Sequence, residues 1–69
     1  MNYNAFAANA TIAAGTVIDE SRVDFYAGTM FVTCTSYEAA KIETALIKAL
    51  KCGVIVSKVG PQFAFDFTA

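Results

Sequence analysis

The run Thr35-Ser36-Tyr37-Glu38 constrains the fold of this chain more than any other stretch. A hydroxyl side chain followed three residues later by glutamate forms a capping box, in which each side chain satisfies a backbone N–H that a helix start leaves free. Behind it, apolar residues recur at Ala39, Ile42, Ala45, Leu46, Ala49 and Leu50, which is a helical period. Lys41, Thr44, Lys48 and Lys51 occupy the opposite, wet side. Lys48 and Lys51 stand near the C-terminal end, where they offset the helix dipole. Gly53 then suits the left-handed position just past a helix end. The spacing predicts a helix from Ser36 to Cys52.

An amphipathic helix needs an apolar layer to cover. The flanking segments read as two β-hairpins. Arg22 to Ala27 alternates, with Val23, Phe25 and Ala27 on one side. Met30 to Thr35 returns, with Met30, Val32 and Cys34 on one side. Glycine at a first turn position suits a type II′ hairpin. That places the turn at Gly28-Thr29 and pairs Ala27 with Met30, Phe25 with Val32 and Val23 with Cys34. Cross-strand partners share a face, so both apolar sets lie on one side. After the helix, Val54 to Val59 is rich in β-branched residues, Gly60-Pro61 marks a turn, and Gln62 to Thr68 alternates with Phe63, Phe65 and Phe67 on one face. Those three phenylalanines are expected in the core.

The expected fold class is therefore α+β. The order is β-β-α-β-β, a four-stranded, mainly antiparallel sheet with one helix packed on one face, in a single domain spanning 1–69. Residues 1–15 stay open between helix, strand and an arm that packs on a partner. Phe6, Ala10 and Ala13 have helical spacing, whereas Tyr3, Ala5 and Ala7 alternate.

Size bears on association. A 69-residue chain buries a small share of its surface, and such folds are often supplemented by disulfides, a metal or oligomerisation. Two cysteines make no disulfide framework, and no histidine is present for a zinc site. Hydrophobic residues make up 57% of the chain and charged ones 16%, more apolar surface than one small core can absorb. Self-association is thus expected, a homodimer first, beside a heterologous protein partner.

Other classes are disfavoured. The cations Arg22, Lys41, Lys48, Lys51 and Lys58 make no basic stripe, and net charge is −1, so nucleic acid is not an expected partner. Met1 to Ile18 is uncharged, but Asn2, Asn4, Asn9, Thr11, Gly15 and Thr16 interrupt it. It reads neither as a membrane span nor as a signal peptide, and a cytoplasmic protein is expected. Without histidine no serine or cysteine nucleophile has a histidine base. Gly15, Gly28, Gly53 and Gly60 are isolated and form no phosphate loop. No enzyme activity, cofactor or metal is expected. Asp19, Glu20 and Asp24 form the sole acidic cluster, read as a cation site, as a docking patch for a basic partner or as a solvated loop entering a strand. Cys34 and Cys52 fall at opposite ends of a helix about 25 Å long, too far apart to bridge.

The second face of the sheet is the informative one. If Phe25, Val32, Val56 and Phe65 face the helix, then Tyr26, Phe31, Thr33, Ile55, Ser57 and Ala64 face away. That mixture is too apolar for a wet face and too polar for a deep core. It is either an interaction surface or a face covered by the N-terminal segment through Tyr3, Phe6 and Ile12.

The stretch Val32-Thr33-Cys34-Thr35-Ser36-Tyr37-Glu38-Ala39-Ala40 resembles the strand-to-helix junction of ferredoxin-like domains, and through it the CutA-type divalent-ion tolerance proteins. The resemblance covers about a third of the chain and implies a fold-level likeness only; no site residue is carried over. The expected function is a small interaction module that self-associates through the uncovered sheet face or the edge strands. The alternative is a regulator or inhibitor of a nucleic-acid-handling complex, of the kind phages encode, acting through Asp19, Glu20 and Asp24 or through Lys41, Lys48 and Lys51.

Overall fold

The computed structural model describes residues 3–68; Met1 and Asn2, part of the open N-terminal segment, and Ala69 lie outside them. Helix α1 (Tyr3–Ala14) is followed by a short 3-10 turn (Glu20–Arg22), then β1 (Val23–Tyr26), β2 (Thr29–Thr33), α2 (Ser36–Leu50), β3 (Gly53–Val59) and β4 (Gln62–Thr68). The strands form one sheet in the order β1-β2-β4-β3, with every pairing antiparallel. The α+β class and the four-stranded antiparallel sheet agree with the sequence pattern. The single helix does not, because the N-terminal segment adds a second one.

Both helices lie on one face. Ala10, Ala13, Ala14 and Ile18 are buried with Ala39, Ile42 and Leu46 of α2 and with Met30, Val32 and Phe65 of the central strands. Alanine explains α1. Its small side chain costs nothing to order in a helix and lets the helix approach its neighbours closely. Phe6 anchors the first turn edge-on against Phe67, ring centres 4.9 Å apart. The helical spacing of Phe6, Ala10 and Ala13 therefore decides the segment, and the alternation of Ala5 and Ala7 has no structural counterpart.

Helix α2 starts as expected. The Glu38 amide donates to Thr35 Oγ1 at 3.2 Å and the Thr35 amide donates to Glu38 Oε1 at 2.9 Å. Its end differs from the expectation. Lys51, with φ 54°, takes the left-handed position, and its amide donates to the Ile47 carbonyl. Gly53 already belongs to β3, opposite Thr68. A Cβ at Gly53 would overlap Thr68 Oγ1, so glycine serves a close strand approach there rather than a helix cap.

The first hairpin turns one residue earlier than its glycine suggested. Ala27 (φ 52°) and Gly28 (φ 85°) are the two turn residues, both left-handed as a type I′ turn requires. The register is Phe25 with Met30 and Val23 with Val32, in place of the expected Phe25 with Val32 and Val23 with Cys34. Each partner moves by two positions, so the faces are unchanged. The observed register ends β2 at Thr33 and frees Cys34 and Thr35 to turn into α2. Left-handed Ala27 is the strained residue this arrangement accepts.

Acid should weaken the α2 start. The Thr35 amide lowers the Glu38 carboxyl below its ordinary 4.5, and the Ser21 amide lowers Asp19 below 3.8. A depressed folded-state value means stability that is present above the unfolded value and lost as pH falls through the folded one. Urea midpoints are expected to drop as pH is lowered from about 5 through 4 and below, with Glu38→Gln making the slope shallower. An equally steep slope in that variant would refute the assignment.

Candidate interaction surface

The sheet face away from the helices is built by strand parity. Register across the four strands gives one row of Tyr26, Thr29, Asp66 and Ile55, and a second of Asp24, Phe31, Ala64 and Ser57. A third row holds Thr33, Gln62 and Val59. Tyr26, Phe31, Thr33, Ile55, Ser57 and Ala64 thus all lie on the outer face, as their alternation implied. Among the described residues, α1 does not cover them, since its Ala10, Ala13 and Ala14 pack with α2 on the other side; the side chain of Tyr3 lies outside the described ones.

Exposure divides the set. Tyr26 is 76% exposed, Ile55 58% and Val59 50%, whereas Ala64 is only 4% exposed between Phe31 and Ser57. Ala64 therefore supplies floor rather than contact. Val59 shares the parity of Ile55 and Ser57, and this parity is the sequence signal that identifies it. The face is a mosaic. Tyr26 and Ile55 sit on opposite edge strands, and between them Thr29 Oγ1 donates to Asp66 Oδ1 at 2.6 Å. Phe31 lies diagonal to Tyr26, and Ile55 and Val59 lie diagonal to Ala64, within reach of large side chains.

The edges are the second feature. β1 and β3 bound the sheet. β3 is the longer, with Val54, Ile55, Val56 and Val59 among its residues and Lys58 its single charge. Lys58 Nζ stands 6.0 Å from the Phe63 ring centre.

The three acidic residues Asp19, Glu20 and Asp24 are all exposed. Asp19 caps the 3-10 turn by accepting from the Ser21 amide at 2.9 Å. Glu20 lies against Gly15, and Asp24 points to the outer face beside Phe31. Arg22 ties this loop to the fold, donating to the Thr33 carbonyl at 3.3 Å and lying 3.8 Å from Glu38. Lys41, Lys48 and Lys51 run along α2, with Lys41 over the Tyr37 ring at 4.7 Å. Among the described residues no three Cys, Asp or Glu side chains gather to hold a metal ion. No described helix is long and apolar enough to cross a membrane. Cys34 and Cys52 are free thiols, and burial pushes the Cys34 thiol up from its usual range.

The element order α-β-β-α-β-β also differs from the β-α-β-β-α-β order of ferredoxin-like domains, so the likeness of Val32 to Ala40 is confined to that junction. No family model, no curated protein and no solved structure matches the chain.

Proposed function

We propose that this chain is a small protein-interaction module, not an enzyme, that self-associates through the parts of its sheet the helices leave bare. The observation that carries this reading is the packing of both helices on one face, with Tyr26, Ile55 and Val59 left exposed on the other. Exposed apolar groups on a small fold gain by burial against a partner, at about 25 cal/mol per Å². A cytoplasmic setting fits the two free thiols.

The regulator reading gains less support. Asp19 already accepts from the Ser21 amide as a cap, and Asp24 lies on β1 opposite Phe31. The test is Ile55→Asp in chromatography with light scattering. The parent chain is expected to elute above the mass of one chain, and the variant, still folded by circular dichroism, at that mass. Identical masses for the two would reject the reading.

A further inference from the structure

We infer that two copies of this chain join edge to edge along β3, about a two-fold axis at Val56, to form one continuous eight-stranded sheet. The inference rests on the self-association proposed above and names its geometry.

The backbone supplies the first argument. Gly60 (φ 61°) and Pro61 form the two-residue turn that joins β3 to β4, closing on the pair Val59 and Gln62. The closing pair of such a hairpin is hydrogen-bonded, and bonded pairs then alternate along the ladder. Val59, Ser57, Ile55 and Gly53 therefore spend their amides on β4. Val54, Val56 and Lys58 direct theirs outward, where among the described residues no strand lies beside β3. An outward row of donors and acceptors recognises one chemistry, an extended strand.

The second argument selects a copy of the same chain. With the axis at Val56, Val56 pairs with its own copy and Val54 with Lys58 of the copy. This register uses every outward amide of the three residues. Val54 and Val56 are half-buried at the rim, so their side chains complete their burial against each other. The one charge on β3 falls two residues from the axis, which holds the two lysines about 13 Å apart.

The helix layer agrees. Successive residues of a helix are about 100° apart. Ala45 and Ala49 line a groove with Ala13 of α1, and Ile42 and Leu46 face the sheet. Ile47 therefore lies on the flank away from α1, and it is 43% exposed. A two-fold axis normal to the sheet keeps all helices on one side, with the exposed Ile47 flank facing away from α1 in each copy. The alternative, stacking two outer faces, would take Asp24 and Asp66 of both copies out of water. Edge pairing leaves those carboxylates solvated.

The experiment combines amide hydrogen exchange on the unaltered chain with Lys58→Pro and Phe31→Asp. Proline at 58 removes an outward N–H and leaves the β3–β4 bonds intact. The expected result is slow exchange at Val54, Val56 and Lys58 at high concentration that speeds up on dilution. Lys58→Pro should weaken the dimer about tenfold or more, and Phe31→Asp should leave it unchanged. A dimer whose three outward amides exchange freely, and which Phe31→Asp abolishes, would overturn edge pairing yet keep self-association. A monomer at every concentration would overturn both. The exchange data on the unaltered chain decide the matter even if Lys58→Pro fails to fold.

Discussion

Phe65→Ala is expected to leave little folded protein at 25 °C. Phe65 is the largest fully buried side chain and sits on a central strand, opposite Met30 of β2 and Val56 of β3. Removing a buried phenylalanine costs about 3 to 5 kcal/mol, the transfer term plus the cavity left behind. At about 0.05 to 0.15 kcal/mol per residue, the whole domain is stabilised by roughly 3 to 10 kcal/mol. The two quantities are of the same order, so the variant should lose its cooperative urea transition or retain a fraction of the parent stability. A loss below about 1 kcal/mol would mean that Phe65 is not at the centre of the core.

The second large effect is expected at Ala10→Leu. Ala10 is fully buried in α1, where the helix meets α2 and the sheet. Three carbons added at a fully buried position must be accommodated among its neighbours, and overpacking of this kind costs about 1 to 3 kcal/mol. The exposed neighbour is the control: Ile12→Ala should change stability by about 0.5 kcal/mol or less beyond helix propensity. Urea unfolding read by circular dichroism checks both, and fast amide exchange in α1 of the Ala10→Leu variant would localise the damage. Equal, small effects at the two positions would show that α1 is a loose arm and not part of the core.

These two sites also mark the limits of what the residues reveal in advance. The cap at Thr35 and the stripe behind it are local signals that agree with each other, so α2 is legible. Phe65 is legible because strict alternation leaves it nowhere else to go. Ala10 is not, because an alanine-rich segment fits helix and strand alike until a partner surface chooses. The first hairpin is ambiguous for a different reason. Glycine fits either two-residue turn, and the two registers differ by two positions, which preserves every face. What decides between them is the need to release Cys34 and Thr35 into α2, a tertiary demand. Lys51 in the left-handed cap follows the same logic, since Gly53 is needed within β3 opposite Thr68.

The bare sheet face divides along the same line. Parity alone places Tyr26, Phe31, Thr33, Ile55, Ser57 and Ala64 on one face. It does not say which side α1 takes, nor that Ala64 is shielded while Val59 is bare. It also does not show that Ile47 stays exposed, which depends on where α1 leaves a helix flank open. The acidic trio appears as a cluster in the chain because Asp19, Glu20 and Asp24 are near in sequence. In the fold Asp19 caps the 3-10 turn, Glu20 opens it and Asp24 belongs to β1.

The central claim is that the bare sheet joins copies of this chain. Sedimentation equilibrium of the unaltered protein, from about micromolar to millimolar concentration, tests it most directly. The account predicts a mass that rises from one chain to two and stops there, as a closed two-fold contact requires. A mass of one chain throughout, or one that climbs without limit, would contradict it.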